Sequence, residues 1–145
     1  MLRDEIDRQI LALLRENARL PYPAIAAQVG LSAPAVKRRI DRLVADGTIT
    51  AFTLAVDPAA LGATTEAFVE VFCAGRTSPS AIRELAAGHP AVVAAYTVTG
   101  SADALFHLRC ANTQDLEATL EHIRASDVVE RTDSVIVLSR LITRG

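Results

Sequence analysis

The chain has 145 residues, half of them hydrophobic, with no Trp, 4% aromatic residues and a formal net charge of −2. That length suits one domain or two small ones, with cores built on Ala, Val, Leu and Ile. No apolar run approaches the roughly 20 residues of a bilayer span, and the opening "MLRDEIDRQI" is charged where a signal peptide would be apolar. The expected location is therefore the cytoplasm, with no membrane partner. Cys73 and Cys110 sit in apolar β-like runs and form no CxxC pair, the pattern of two reduced, buried thiols. Charge is unevenly placed: residues 1–56 carry eight basic and six acidic side chains, and residues 57–145 carry seven basic and eleven acidic ones. The first part suits a polyanion and the second does not.

In chain order, "DEIDRQILALLRENAR" puts Ile6, Ile10, Leu13 and Leu14 at helical spacing, with Asp4 as N-cap. "LPYP" breaks the chain, and a second helix is expected from Pro23 to Val29 with Ile25, Ala26 and Val29 inward. Gly30 ends it, Ser32 caps a third helix, and Pro34 near that start costs no internal hydrogen bond. The third helix is expected to bury Val36, Ile40, Leu43 and Val44, and Gly47 closes it. "TITAFTLAVDP" reads as one or two short strands, a small β wing, and Asp57-Pro58 with Leu61-Gly62 marks a boundary.

Beyond that boundary the pattern changes. "EAFVEVFC" reads as a strand, and Ser78-Pro79 opens a helix with Ile82, Leu85 and Ala86 inward, stopped by Gly88. "AVVAAYTV" and "ALFHLRC" are strands joined by the turn "TGSAD". A helix from about Thr113 to Arg124 shows Leu116, Leu120 and Ile123 on one face, and "VERTDSVIVLSRLI" reads as a long last strand. The order βαββαβ is that of a ferredoxin-like αβ-sandwich. The expected class is α+β: a winged helix-turn-helix of three helices and a short β wing, followed by the ferredoxin-like unit. The expected domains are 1–48 (helix-turn-helix), 49–64 (wing and hinge) and 65–145 (αβ-sandwich).

The third helix carries the functional signal. Two short helices around a Gly-Leu-Ser turn form a helix-turn-helix, whose later helix enters the major groove with its N-terminal residues toward the bases. Ser32, Ala33, Pro34 and Ala35 are small enough for close approach, and their amides with the helix dipole suit a phosphate. Lys37, Arg38, Arg39 and Arg42 supply positive charge for phosphates or guanine edges in double-stranded DNA. Arg39 directly precedes core Ile40 and is expected at the helix flank on phosphate, and Lys37 and Arg38 nearer the groove floor.

Catalysis finds little support. His89, His107 and His122 are the candidate general bases, and none stands at metal-ligand spacing with another His, Cys or carboxylate pair. No GxSxG, P-loop or GxGxxG motif is present. Arg76 after Gly75 is the one residue that an anion-binding hydrolase loop could use. A non-enzyme is expected, with no cofactor and no metal.

The stretches "IDRQILALLRENAR", "IAAQVGLSAPAVKRRIDRLVADGTITAF", "VDPAALG", "VTGSADALFHL" and "VERTDSVIVLS" together resemble, in order and over nearly the whole chain, the Lrp/AsnC family of feast/famine regulators. The resemblance implies a transcriptional regulator of amino-acid metabolism. Its C-terminal domain would bind an amino-acid effector and drive assembly into dimers and higher oligomers, an octamer being the expected size. It also implies an effector site at interfaces between C-terminal domains, beside the Gly-x-x-Asp turn formed here by Gly100, Ser101, Ala102 and Asp103, with Thr132 and Ser134 as the matching last-strand positions. Ala102 stands where the family usually has a bulkier residue. On its own chemistry, Gly100 permits a tight bend, and Asp103 can accept from an ammonium group or from amides of its own loop. A four-stranded sheet covered by two helices leaves one face bare, and "AVVAAYTV" and "SVIVLSRL" are apolar at successive positions, so both faces are expected to be buried, the second by a homodimer partner. A different reading is an effector-independent architectural protein that wraps or bridges DNA as a multimer.

Overall fold

Asp4 starts the first helix by accepting a hydrogen bond from the Asp7 N–H at 2.9 Å, which satisfies one donor that a helix N-terminus leaves free. The computed structural model describes residues 4–142, and the outermost residues of the expected first and last domains, 1–3 and 143–145, lie outside them. Helix α1 (Glu5–Glu16) is followed by α2 (Tyr22–Val29) and α3 (Ala33–Ala45). Helix α2 begins one residue before Pro23, which thereby takes an early position where its missing N–H costs nothing. Gly30 ends α2 at φ +68°, and the Leu31 N–H donates to the Ala26 carbonyl at 3.1 Å, closing the helix through a left-handed residue that glycine adopts without strain. Ile10, Leu14, Ile25, Ala26, Val36 and Ile40 form the core of this first unit.

Two expectations in this region are corrected. Val44 is 47% exposed, while Leu43 is buried, because Val44 lies at the rim of the inward stripe and the helix ends one residue later. The β wing is also absent: residues 50–57 form no strand. Phe52, Leu54 and Val56 alternate as a strand would, but they are exposed. A strand needs a partner edge for its amides and carbonyls, and alternation alone does not supply one.

The first unit ends at Ala55 and the second begins at Val56. A 3₁₀ turn over Pro58–Leu61, capped by the Asp57 side chain, leads into β1 (Thr65–Cys73). Then come α4 (Pro79–Ala87), β2 (Val92–Thr97), β3 (Ala104–Cys110), α5 (Thr113–Arg124) and β4 (Val129–Ile136). The sheet runs β2-β3-β1-β4 with every neighbouring pair antiparallel, the ferredoxin-like arrangement expected. Strand β4 stops at Ile136, short of the long strand expected, and Leu138, Leu141 and Ile142 beyond it are exposed.

Strand alternation sorts the two sheet faces. Ala67, Val69 and Val71 of β1 join Ala104, Phe106 and Leu108 of β3 beneath Ile82 and Ala86 of α4 and Leu116, Leu120 and Ile123 of α5. Fully burying each large side chain there contributes about 1.5–3 kcal/mol. Cys73 and Cys110 belong to this core as free thiols, and burial pushes both thiol pKa values up, which keeps them protonated. The opposite face carries Phe68 and Leu105, half-buried, and Tyr96 and Val135, exposed. Burial on both faces is therefore not met within one chain. No described helix is long and apolar enough to cross a membrane.

Candidate nucleic-acid interface and effector site

Ser32 begins α3 in extended conformation, and its hydroxyl accepts from the Ala35 N–H at 3.4 Å. Ser32, Pro34, Lys37, Arg38 and Asp41 are exposed, and Ala33 and Ala35 are half-buried. Positions 34, 37, 38 and 41 lie three or four apart and therefore share one side of the helix. The slim N-terminal end and this stripe form a continuous outer surface.

The sequence expects all four cations of α3 to project, and the structure divides them. Arg39 Nη1 donates to Asp4 Oδ2 at 2.7 Å and to Asp7 Oδ1 at 2.7 Å. Arg42 Nη2 donates to Asp7 Oδ2 at 3.2 Å. Asp7 has no solvent exposure, and the Arg39 side chain is 23% exposed. Both guanidinium groups thus turn toward α1. The cause is Asp7, which occupies an inward position of α1 with Ile10 and Leu14 and needs compensating charge where water is excluded. Residue order by itself assigns Asp7 no role. The available signal was the spacing Asp7, Ile10, Leu14 itself, which puts a carboxylate on an apolar stripe.

The Asp4 carboxyl is held below its ordinary pKa, first by the Asp7 N–H and then by Arg39. Lys37 Nζ meets Asp41 Oδ2 at 2.5 Å across an exposed pair, and that carboxylate holds the ammonium above its ordinary pKa. Among the described residues no carboxylate pairs with Arg38.

In the second unit, Gly100 takes φ +123° in the turn between β2 and β3, a backbone region that favours glycine. Asp103 closes this turn. Its N–H donates to the Val71 carbonyl at 3.0 Å, its carbonyl accepts from the Val98 N–H at 3.3 Å, and its Oδ2 accepts from the Cys73 N–H at 2.8 Å. One carboxylate oxygen is thus committed to the end of β1. Gly100 and Ser101 are exposed, but Ala102 is buried, so its side chain packs inward and leaves only its backbone for a ligand. Thr132 Oγ1 accepts from Arg124 Nε at 2.8 Å, and Thr132 pairs with Val71 from the side opposite Asp103. Strand β1 therefore separates Asp103 from Thr132 by about two ladder spacings, roughly 9–10 Å. Ser134 is exposed and lines a hollow with Phe68, Leu105 and Val135. Within one chain these residues do not converge on an enclosed pocket. A larger hollow of about 520 Å³ lies in the first unit beside Tyr22, Ile40 and Phe52, is lined mainly by apolar groups, and holds none of the expected effector residues.

The histidines have local partners. His107 Nε2 lies 2.5 Å from Glu66 Oε1, and its ring stacks on Phe68 at 4.7 Å. Arg140 Nη2 donates to Glu66 Oε2 at 2.7 Å. Burial works against the Glu66 charge, but the hydrogen bonds from Arg140 and His107 outweigh it and hold its pKa below the ordinary value. His89 and His122 stack at 6.5 Å. Among the described residues no three His, Cys, Asp or Glu side chains gather as a metal site would require.

Comparison with known proteins agrees with this architecture. The AsnC-type helix-turn-helix domain matches residues 4–44, and the Lrp/AsnC ligand binding domain matches residues 66–145. The HTH-type transcriptional regulator Rv2324 of Mycobacterium tuberculosis is 50% identical over 141 residues, spanning 97% of this chain and 95% of that protein. The structure of E. coli AsnC superposes with a TM-score of 0.86 at 28% identity, covering 100% of this chain and 98% of that one. The feast or famine regulatory protein Rv3291c of M. tuberculosis, solved in complex with L-methionine, superposes with a TM-score of 0.89 at 28% identity, covering 97% and 95% of the two chains. With a basic, capped third helix after a Gly turn and a ferredoxin-like second unit, the chain is a DNA-binding transcriptional regulator of the Lrp/AsnC family.

Proposed function

We propose that this regulator reads double-stranded DNA through the N-terminal half of α3 and responds to a small amino acid bound between the C-terminal units of neighbouring copies. The observation that carries the DNA reading is the exposed stripe of Ser32, Pro34, Lys37 and Arg38 on a capped helix. Small residues at the tip permit close approach, and the two cations beside them meet phosphates or base edges. Two such helices in a homodimer favour pseudo-palindromic half-sites about one helical turn, roughly 34 Å, apart or a multiple of it.

The bare sheet face supports the dimer. Phe68, Leu105, Tyr96 and Val135 present apolar surface, and a second copy would remove it from water. Higher assembly, an octamer being the expected size, would follow from further contacts between C-terminal units. The effector reading draws on the L-methionine complex of the related Rv3291c. Because Asp103 and Thr132 stand on opposite sides of β1, an enclosed pocket would need residues from a neighbouring copy, and Gly100, Ser101, Asp103 and Ser134 are this chain's contribution to it. Ligand binding would then be coupled to assembly, and assembly to the spacing of recognition helices.

The test is a thermal-unfolding panel of the twenty amino acids. A bound effector stabilises by mass action, so a saturating effector should raise the midpoint by several degrees. A flat panel would favour the architectural reading, which the commitment of Asp103 Oδ2 to Cys73 and the burial of Ala102 also suit.

A further inference from the structure

We infer that the four cations of α3 divide into two jobs: Arg39 and Arg42 are positioning residues that fasten α3 to α1, and Arg38, with Lys37 beside it, carries the charge that meets DNA. This rests on the proposal that α3 is the DNA-reading helix. It departs from the simplest reading of a basic helix, in which every Arg is a phosphate contact.

The argument starts from what a phosphate contact requires. Affinity for DNA gains from a cation whose charge is free to replace condensed counterions. Arg39 and Arg42 bring two positive charges, and Asp4 and Asp7 bring two negative ones within 2.7–3.2 Å. The local sum is zero. For Arg39 to reach a phosphate it must abandon Asp7, which has no solvent exposure. That would leave a buried carboxylate with weakened compensation, the most costly way to break an ion pair.

The outer pair behaves differently. Lys37 and Asp41 are both more than half exposed, and an exposed ion pair of this kind contributes little. Lys37 can therefore leave Asp41 as DNA approaches. Arg38 has no pairing carboxylate among the described residues and is exposed. Helical spacing places Arg38 with Pro34, Lys37 and Asp41 on the outer stripe, and Arg39 beside core Val36, Ile40 and Leu43. Asp4 adds a further constraint, since one carboxylate both caps α1 and holds Arg39. The start of α1 and the middle of α3 are thereby tied at one point, which fixes how far the tip of α3 stands out.

The experiment is DNA binding by the full-length protein across a series of salt concentrations, with thermal unfolding measured in parallel. The probe is a duplex selected by the wild-type protein from random sequence. Arg38→Ala should weaken binding and flatten the slope of log K against log salt by about 1 per protomer engaged, with the unfolding midpoint unchanged. Arg39→Gln should lower the midpoint by several degrees and leave the slope of the folded protein as in wild type. Arg39→Lys keeps the charge, and because a single Arg39 nitrogen reaches both carboxylates, it should restore part of the midpoint lost in Arg39→Gln. A flattened slope with an unchanged midpoint in Arg39→Gln overturns the division of roles while leaving α3 as the DNA helix. Unchanged affinity and slope in both Arg38→Ala and Lys37→Ala overturns the placement of DNA on α3 itself.

Discussion

Asp7 and Arg39 are 32 residues apart in the chain, and their charged groups meet at 2.7 Å with the Asp7 side chain fully removed from solvent. This contact joins the first helix to the helix proposed to read DNA. Replacing Asp7 with Ala leaves Arg39 and Arg42 facing an apolar stripe with one acid instead of two. The expected loss is on the order of 3 kcal/mol, read as a shift in the urea midpoint of the first unit. A change below the error of the measurement would mean that water or a side-chain shift compensates the two arginines.

Asp103 has a structural duty that its place in a turn does not reveal. Its Oδ2 accepts from the Cys73 N–H at 2.8 Å, so Asp103→Ala removes that acceptor at the end of β1 and should cost about 1 kcal/mol. Asp103→Asn keeps a carbonyl acceptor and should cost less. Effector titrations on the two variants then separate the roles. If the carboxylate charge binds an ammonium, both variants lose the response; if Asp103 only shapes the turn, Asn retains it.

Glu66 makes the second unit sensitive to acid. Its pKa in the folded chain lies below the ordinary 4.5 because the hydrogen bonds from Arg140 and His107 outweigh burial. A lowered folded-state pKa adds stability that is fully present above the unfolded value and is lost as pH falls through the folded one. Unfolding midpoints should therefore drop below about pH 4.5, and Glu66→Gln should reduce that drop while lowering stability near neutrality. Asp4, held below 3.8, predicts the same direction for the first unit at lower pH. Equal acid sensitivity of wild type and Glu66→Gln would remove Glu66 as a cause.

The uncovered sheet face makes a prediction about assembly. Val135 is 64% exposed, and Tyr96 lies on the same face across the sheet. Putting Lys at both positions leaves the helix-covered core untouched but makes burial of that face unfavourable. Sedimentation should show the double variant shifted toward monomer with its fold retained by circular dichroism. An unchanged sedimentation coefficient would place the dimer contact elsewhere.

Much of the fold was legible because its signals are local. Asp4, Ser32 and Ser78 each cap a helix through a bond to an amide three residues on, and hydrophobic spacing shows which side turns inward. Gly30 and Gly100 mark backbone turns that other residues resist. The ferredoxin-like order followed from alternating strand and helix patterns, and the family from five motifs in order. Local signals also misled where they needed a distant partner. Phe52, Leu54 and Val56 alternate like a strand, yet residues 50–57 have no paired edge.

The candidate sites divide in the same way. The sequence alone determined that α3 is capped, basic and slim at its tip, because caps and helical spacing act over one or two turns. It is the folded chain that turns Arg39 and Arg42 back to Asp4 and Asp7, commits Asp103 to Cys73, and sets β1 between Asp103 and Thr132. Charge pairing and hydrogen bonding depend on distance in space and on exclusion of water, and neither is written in residue order.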